Sequence, residues 1–323
     1  MTLALSIAEI RQAATTIAPH VCHTPLRVSS GLSQYNGAEV LLKLETMQNT
    51  GAFKLRGATN KLLSLDDAER SAGVIAVSTG NHGRGVAFAA AKLGLHAVVC
   101  MSELVPTVKV EAIRALGAEM VITGKSQDEA EETALAMIAE LGLVYVSPFD
   151  DRHVIAGQGT IGLELMAAVP ALDTIIVPVS GGGLIGGISV AAKALRPDVR
   201  IVGVTMDRGA AMYESIKAGK PVQVEEMVSL ADSLGGGIGS NNRYTFDLVH
   251  ALVDDMVLVT EAQIADAMAW LYWNERIVAE GAGAVGVAAL LNGFAGGGRT
   301  VAIVSGCNVD MADFTEIVRE RAP

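Results

Sequence analysis

The sequence has little of three kinds of residue: cysteine, aromatic residues and basic side chains. Its three cysteines, Cys22, Cys100 and Cys307, lie too far apart for a zinc-binding spacing or a disulfide framework, so we expect a reducing, cytoplasmic setting. With 24 basic and 35 acidic residues the net charge is −11, and lysine and arginine form no cluster. We therefore expect neither nucleic acid nor an anionic membrane as a partner.

Long uninterrupted apolar runs are also absent. Two uncharged stretches, 174–192 and 281–298, approach the length of a membrane span, but glycine clusters break both of them. Buried strand, turn and helix explain them better than a membrane span does. The first residues carry Glu9 and Arg11 inside an apolar stretch, which is typical of an amphipathic helix and not of a signal peptide.

What the sequence does contain is glycine and alternating apolar segments. Its 35 glycines suit an α/β protein with many tight turns from strand to helix. The predicted strands are 40–44, 74–78, 96–101, 119–122, 174–179, 199–204 and 300–304. Helices are predicted between them, including 83–93, 108–116, 127–141 and 184–195. This alternation predicts parallel βαβ units, which bind ligands at the carboxyl ends of their strands.

The middle of the chain contains a compact series of strands and helices of its own. We predict a smaller inserted α/β domain at 73–150. Residues 1–72 and 151–323 would then form a larger, discontinuous domain, with 147–151 as the return linker.

One lysine occupies an unusual position. Lys54 lies between glycines, directly after Phe53 and near the start of a predicted helix. A lysine amine can form a Schiff base with an aldehyde cofactor. The alternative is that Lys54, Arg56 and Lys61 form the polar face of an ordinary helix.

A second candidate stretch, from Ser78 to Gly83, follows a predicted strand and opens a helix. Backbone N–H groups at a helix start, with the hydroxyls of Ser78 and Thr79, would bind a carboxylate. Asn81 could bind a phenolic oxygen. The alternative is an ordinary helix cap by serine or asparagine, and His82 also suits a structural role.

A third stretch runs from Ser180 through three glycines to Leu184, between a predicted strand and a helix. Glycines let the backbone approach a phosphate, and the helix dipole favours the dianion. The stretch lacks the residues of a P-loop and the spacing and downstream acid of a dinucleotide fingerprint, which predicts a phosphate bound without a nucleotide. A tight strand-to-helix turn is the alternative.

Two further residues complete the set. Ser305 places a small hydroxyl after the strand 300–304, and Glu280 precedes a helix of small residues, where it would otherwise be a helix-start charge. A Schiff-base lysine, a carboxylate-binding turn, a phosphate-binding turn and a lone hydroxyl together indicate a pyridoxal phosphate site.

On these motifs the chain resembles the fold-type II pyridoxal phosphate enzymes, in the group of threonine/serine dehydratases and serine racemases. The resemblance runs nearly end to end, through 24–26, 43–45, 50–58, 78–83, 157–162, 180–184 and 305–308. Residues 232–239 and 242–246 most resemble the hydroxyectoine utilisation dehydratases. The resemblance implies an α/β protein of two domains, each with a mostly parallel twisted sheet flanked by helices. The cofactor would lie in the cleft between the domains of a homodimer.

The resemblance also implies a role for each site residue. Lys54 would hold the cofactor aldehyde and then act as the base at the α-carbon. Asn81 would bind the ring oxygen, and Ser305 would face the pyridine nitrogen. The remaining cofactor-binding residues would be Phe53, Gly181, Gly182, Gly183, Leu184 and Glu280, and the substrate-binding residues would be Ser78, Thr79, Gly80 and His82.

The expected reaction is loss of water from a β-hydroxy amino acid to give a 2-keto acid and ammonia. The substrate stays open among threonine, serine, 3-hydroxyaspartate and a hydroxylated diaminobutyrate from hydroxyectoine breakdown. An amino-acid racemase is disfavoured because Thr79 stands where racemases carry a serine. We expect no metal site, because Thr205 and Ala211 stand at the positions of the group's metal ligands.

Two alternatives come from other classes of protein. A nicotinamide oxidoreductase would need a glycine fingerprint followed by an acid, and the sequence has none in place. A cofactor-binding protein without activity is disfavoured by the retention of Lys54.

Overall fold

The computed structural model describes residues 3–78, 80–105, 107–294 and 296–323. The strands in these residues are β1 (Leu26–Val28), β2 (Val40–Leu44), β3 (Val74–Val77), β4 (Ala97–Met101), β5 (Glu119–Ile122), β6 (Val144–Tyr145), β7 (Thr174–Pro178), β8 (Arg200–Met206), β9 (Asp255–Val259) and β10 (Thr300–Val304). The helices are α1 (Ile7–Ile17), α2 (Ser30–Asn36), α3 (Lys54–Leu63), α4 (Asp67–Ala72), α5 (Asn81–Leu93), α6 (Thr107–Arg114), α7 (Gln127–Leu141), α8 (Arg152–Ala168), α9 (Gly183–Leu195), α10 (Ala211–Ala218), α11 (Thr245–Leu252), α12 (Glu261–Trp270), α13 (Gly281–Leu291) and α14 (Met311–Glu320).

The larger sheet takes its strands from both ends of the sequence. Six strands of the described chain form it, in the order β1-β2-β10-β7-β8-β9, and only the pair β1–β2 is antiparallel. The strands β2, β10 and β7 are buried along their whole length. Val301 and Ile303 of β10 enter one hydrophobic core, whereas Ala302 and Val304 enter another. Both faces of this sheet are therefore covered, as is usual for parallel strands.

The smaller sheet belongs to the middle of the chain. Four described strands form it in the order β5-β4-β3-β6, and all of its neighbours are parallel. The predicted α/β class with two mostly parallel sheets flanked by helices is thus confirmed. The domain bounds 1–72 with 151–323, and 73–150, stay a prediction, although residues 147–151 contain neither helix nor strand. In the described part of the chain, every helix is too short or too polar to cross a lipid bilayer.

The strands that the sequence analysis did not predict, β1, β6 and β9, all lie at sheet edges. Two of them are only two or three residues long. In β9 only the last residue is buried, so no continuous apolar run marks it. These strands are defined by their hydrogen bonds to a neighbouring strand, and their local sequence pattern does not mark them as strands.

A buried cluster of charged side chains connects β2, α3 and α8. Arg56 of α3 donates from Nε to Glu45 at 2.8 Å and from Nη1 to Glu164 at 2.6 Å. The amine of Lys43 contacts Glu164 at 2.5 Å. Burial alone would raise the pKa of Glu164, but the hydrogen bonds and charges of Arg56 and Lys43 lower it. Because each buried charge has a partner of opposite sign, the cluster ties the first turn of α3 to both neighbouring elements.

Glycines allow α3 and α8 to pack closely beside this cluster. A Cβ atom on Gly157 would lie 2.6 Å from the carbonyl oxygen of Arg56, and one on Gly57 would lie 2.4 Å from the side-chain nitrogen of Gln158. The N–H of Gly57 donates to the Gln158 side chain at 3.2 Å. Side chains at these two glycines would push the helices apart, and α3 carries Lys54 at its first residue.

We expect Arg56→Met to lower the free energy of unfolding by about 3–5 kcal/mol, because Glu45 and Glu164 would keep buried charges without their main partner. The measurement is chemical denaturation. Arg114→Met is the matched control: its pair with Glu111 is exposed, so its loss should cost at most about 1 kcal/mol. Equal effects of the two substitutions would contradict the structural importance of the cluster.

Candidate active site

Three of the predicted motifs, those of Lys54, Gly181 and Ser305, follow three neighbouring strands of the larger sheet. β2, β10 and β7 lie side by side in parallel, so the segments that follow them emerge at the same edge. The N–H of Phe53 donates to the carbonyl oxygen of Ser305 at 3.0 Å, and the N–H of Cys307 donates to that of Gly51 at 2.9 Å. These bonds hold the Lys54 segment beside the end of β10.

A cavity of about 340 Å³ lies between these segments and the start of α5. The predicted site residues that line it are Phe53, Lys54, Ser78, Gly80, Asn81, His82, Gly181, Gly182, Gly183, Leu184, Glu280 and Ser305. Thr79, also predicted, lies outside the described residues. The structure therefore brings together all the predicted site residues that it describes, although they are spread over most of the sequence.

Lys54 is half-buried at the wall of this cavity. Its Nζ donates to the carbonyl oxygen of Pro148 at 2.6 Å. Desolvation by burial lowers the pKa of Lys54 from 10.5 to about 8. A solvated polar face shared with Arg56 does not account for Lys54, because Arg56 is 0% exposed. Near neutral pH, Lys54 is thus far more often the neutral amine, the form that attacks an aldehyde, than an ordinary lysine is.

The glycine turn before α9 is shaped by its lack of side chains. A Cβ atom on Gly181 would lie 2.3 Å from the ring of Phe149. Gly182 has φ +88°, a left-handed backbone that favours glycine, and a Cβ there would lie 2.7 Å from Met212. Within the described residues no side chain caps this helix start, so its N–H groups remain available to an anion. The turn fits the phosphate of pyridoxal phosphate, and Lys54 lines the same cavity.

Asn81 and Glu280 are joined by a short hydrogen bond. The Asn81 amide nitrogen donates to Glu280 Oε1 at 2.6 Å, and the backbone N–H of Asn308 donates to Glu280 Oε2 at 3.0 Å. Glu280 is therefore more than a helix-start charge, since it accepts hydrogen bonds from two other segments. The amide nitrogen of Asn81 carries a second hydrogen, which suits the ring oxygen of a cofactor.

His82 carries no charge in this site. Desolvation and the charge of Lys54 lower the pKa of His82 to about 3, although its hydrogen bond to Val146 acts in the opposite direction. Nε2 lies 2.8 Å from the carbonyl oxygen of Val146, which only accepts, so Nε2 carries the proton. The predicted contact of His82 with substrate stays a prediction, and it would have to use another part of the ring.

Sequence reasoning missed several residues of the cavity wall. Phe149, which supports the glycine turn, lies in a segment that the sequence marks only as a linker, and no spacing distinguishes it. Glu226 comes from the long irregular region that follows α10. Ser233 belongs to the stretch 232–239, which the sequence analysis used for the family resemblance and did not assign to the site. The residues around Glu226 show no hydrophobic periodicity from which their proximity to Lys54 could be predicted.

The positions at which the resemblance would place metal ligands are Thr205 and Ala211. Thr205 lies near the end of β8 and Ala211 at the start of α10, and both are buried. Among the described residues, histidine, cysteine, aspartate and glutamate form no group of three or more that could hold a metal ion. The predicted lack of a metal site stays a prediction.

Comparison with known proteins identifies the family. Residues 17–306 match the family described as pyridoxal-phosphate dependent enzyme. A Sinorhizobium fredii protein, provisionally named a threonine dehydratase, is 52% identical over 97% of this chain and 95% of its own length. The L-threonine ammonia-lyase of Thermotoga maritima is 44% identical over 98% of this chain and 79% of its own. The structure of maize serine racemase superposes with a TM-score of 0.92 at 36% identity, over 98% of each chain.

This chain therefore belongs to the pyridoxal-phosphate dependent enzymes. The cofactor predicted from the motifs is confirmed at the level of the family. The finer resemblance to hydroxyectoine utilisation dehydratases stays a prediction.

In the cofactor-free protein, we expect the rate at which pyridoxal phosphate adds to Lys54 to rise about tenfold per pH unit below about pH 8 and to level off above it. Only the neutral amine attacks the aldehyde, and a lowered pKa increases the fraction of neutral amine at a given pH. The measurement is stopped-flow absorbance across this pH range. The Lys54→Ala variant gives the background rate at which the cofactor reacts with other amines. A rate that keeps rising well past pH 8 would mean that the amine is not desolvated.

Proposed function

We propose that this protein removes water from a β-hydroxy amino acid and releases a 2-keto acid and ammonia. The observation that carries the proposal is the desolvated amine of Lys54, which shares one cavity with the uncapped glycine turn before α9. Pyridoxal phosphate, when bound, supplies an aldehyde carbon that binds amines covalently and a ring that withdraws electrons from the α-carbon.

Lys54 has two tasks in this proposal. Its amine would hold the cofactor, and once released it would take the proton from the α-carbon of the substrate. A base for this step works best when its pKa lies near the working pH, and burial brings the pKa of Lys54 to about 8. The neutral His82 adds no second positive charge beside the amine.

The substrate carboxylate would bind at the start of α5. Ser78 and Gly80 line the cavity there, and the first turn of α5 contains no acidic residue that would repel an anion. The Ser78 hydroxyl accepts from the Gly80 N–H at 3.3 Å, which keeps it at this turn. Thr79 completes the proposed set by sequence position.

Ser305 would control how strongly the cofactor ring withdraws electrons. It is 3% exposed and lines the cavity at the end of β10. A serine hydroxyl facing the pyridine nitrogen cannot protonate it as an aspartic acid could. Ser305 would therefore leave the ring a weaker electron acceptor, which would favour prompt loss of the β-hydroxyl group over other fates of the α-carbon.

L-Threonine is the substrate that we expect to react fastest, with L-serine next. The Sinorhizobium and Thermotoga relatives carry threonine names, and the chain matches nearly all of one and most of the other. 3-Hydroxyaspartate and a hydroxylated diaminobutyrate are to be assayed beside them.

We further propose that the protein is a cytoplasmic homodimer and that residues 73–150 form a separate inserted domain.

Racemisation is the second candidate activity. It is favoured by the close superposition on maize serine racemase, a protein of nearly the same length. A racemase needs a proton donor on the face of the substrate opposite the lysine. Thr79 is the residue at the racemase serine position, and its bulkier hydroxyl argues against efficient racemisation.

We expect the purified holoenzyme to release ammonia and a 2-keto acid from L-threonine, and Lys54→Ala to reduce kcat/KM by at least about 100-fold through loss of the base. Keto acid formation is followed by a coupled reductase assay, with Lys61→Ala as a control lysine on the same helix. Chiral chromatography of the remaining amino acid tests racemisation. If threonine, serine, 3-hydroxyaspartate and the hydroxylated diaminobutyrate all gave no keto acid while the cofactor stayed bound, the lyase proposal would be overturned.

A further inference from the structure

A continuous chain of hydrogen bonds leads from a cation, Arg84, to Asn81 and Glu280, which line the cavity. Arg84 Nη1 donates to Asn308 Oδ1 at 2.8 Å. Asn308 Nδ2 donates to Asn81 Oδ1 at 2.6 Å, and Asn81 Nδ2 donates to Glu280 Oε1 at 2.6 Å. The four residues come from α5, the segment after β10 and the residue before α13. In each of these three hydrogen bonds the donor lies on the Arg84 side and the acceptor on the Glu280 side.

The charged ends determine that direction. A guanidinium group has only donors and an ionised carboxylate has only acceptors. An asparagine amide is nearly symmetrical in shape and can be turned over, so its hydrogen-bond partners decide its orientation. If Asn308 turned over, its NH₂ would face Arg84. If Asn81 turned over, its carbonyl oxygen would face Glu280. Each reversal replaces a hydrogen bond by a repulsive contact.

The surrounding backbone holds the chain in place. Asn308 Nδ2 also donates to the carbonyl oxygen of Thr50 at 2.8 Å. Gly51 has φ +74°, and a Cβ atom there would lie 3.0 Å from Asn308 Oδ1. A Cβ on Gly306 would lie 2.5 Å from Glu280 Oε1. Glycine at these two positions therefore lets the backbone pack directly against the amide and the carboxylate.

We infer that Arg84 and Asn308 are positioning residues that hold the Asn81 amide with its NH₂ group, and not its carbonyl oxygen, toward the ring oxygen of the cofactor. The inference rests on the proposed role of Asn81. Both hydrogens of Asn81 Nδ2 are then donated, one to Glu280 and one to the ring oxygen. In a buried site such a chain also polarises its members, which strengthens the last donor.

A direct contact between Arg84 and substrate agrees less well with the structure. Arg84, Ser233 and Asn308 line a side space of only about 30 Å³, far smaller than the main cavity of about 340 Å³. The Nη1 donor of Arg84 is already used on Asn308. The geometry therefore assigns Arg84 to the support of Asn81.

The test compares Asn308→Asp and Arg84→Met with Asn81→Ala, in cofactor titrations of the cofactor-free protein and in absorption spectra of the holoenzyme. Asn308→Asp keeps the shape but replaces the donor facing Asn81 by an acceptor. We expect its dissociation constant for pyridoxal phosphate to rise about tenfold, equivalent to about 1.4 kcal/mol. Arg84→Met removes only the terminal donor and should raise the constant about threefold. Both variants should move the absorption maximum in the direction seen for Asn81→Ala.

Lys92→Gln, which removes an exposed positive charge at the other end of α5, is the matched control and should leave the spectrum and the dissociation constant unchanged. A shift in Asn81→Ala with none in the other two variants would overturn the positioning role and leave that of Asn81 intact. An unshifted Asn81→Ala spectrum would overturn both roles. Neither result bears on the lyase proposal, because that proposal is tested by the release of keto acid.

Discussion

The arrangement of the active site depends on the buried ion cluster that connects β2, α3 and α8. Charges inside a protein are tolerated only with partners of opposite sign, and Arg56 finds Glu45 on one side and Glu164 on the other. Few relative positions of the three elements satisfy all of these contacts together. Since Lys54 stands two residues before Arg56, the cluster also determines where the amine enters the cavity.

Glycine serves two purposes around this cluster. At Gly57 and Gly157 it allows α3 and α8 to approach until a hydrogen bond and the ion pairs can form. At Gly181 and Gly182 it allows the backbone to turn against Phe149 and present an uncapped helix start to the cavity. In both places the absence of a side chain brings backbone close to a partner: a neighbouring helix in the first case, and the proposed phosphate in the second.

Much of the fold could be predicted from the sequence because its central strands are short apolar runs between helices. The bounds of β2, β5 and β10 match the prediction, and the glycine and serine motifs follow strands as expected. The edge strands could not be predicted, because β9 is only partly buried and exists through its pairing with β8. Phe149 was missed for a similar reason. Its partner is a glycine turn about 30 residues further along the chain, and no local period reports such a contact.

The sequence by itself determined the α/β class, the family and the residue types of the site, because these depend on local apolar patterns and on motifs that each occupy a few consecutive residues. The tertiary structure alone decided which groups are charged and which way they point. Burial makes His82 neutral and lowers the pKa of Lys54, and neither effect can be read from neighbours in sequence. The orientation of Asn81 likewise depends on Asn308 and Glu280, which lie about 200 residues away. They meet Asn81 only in the folded chain, because Asn81 follows β3 of the smaller sheet and Asn308 follows β10 of the larger one.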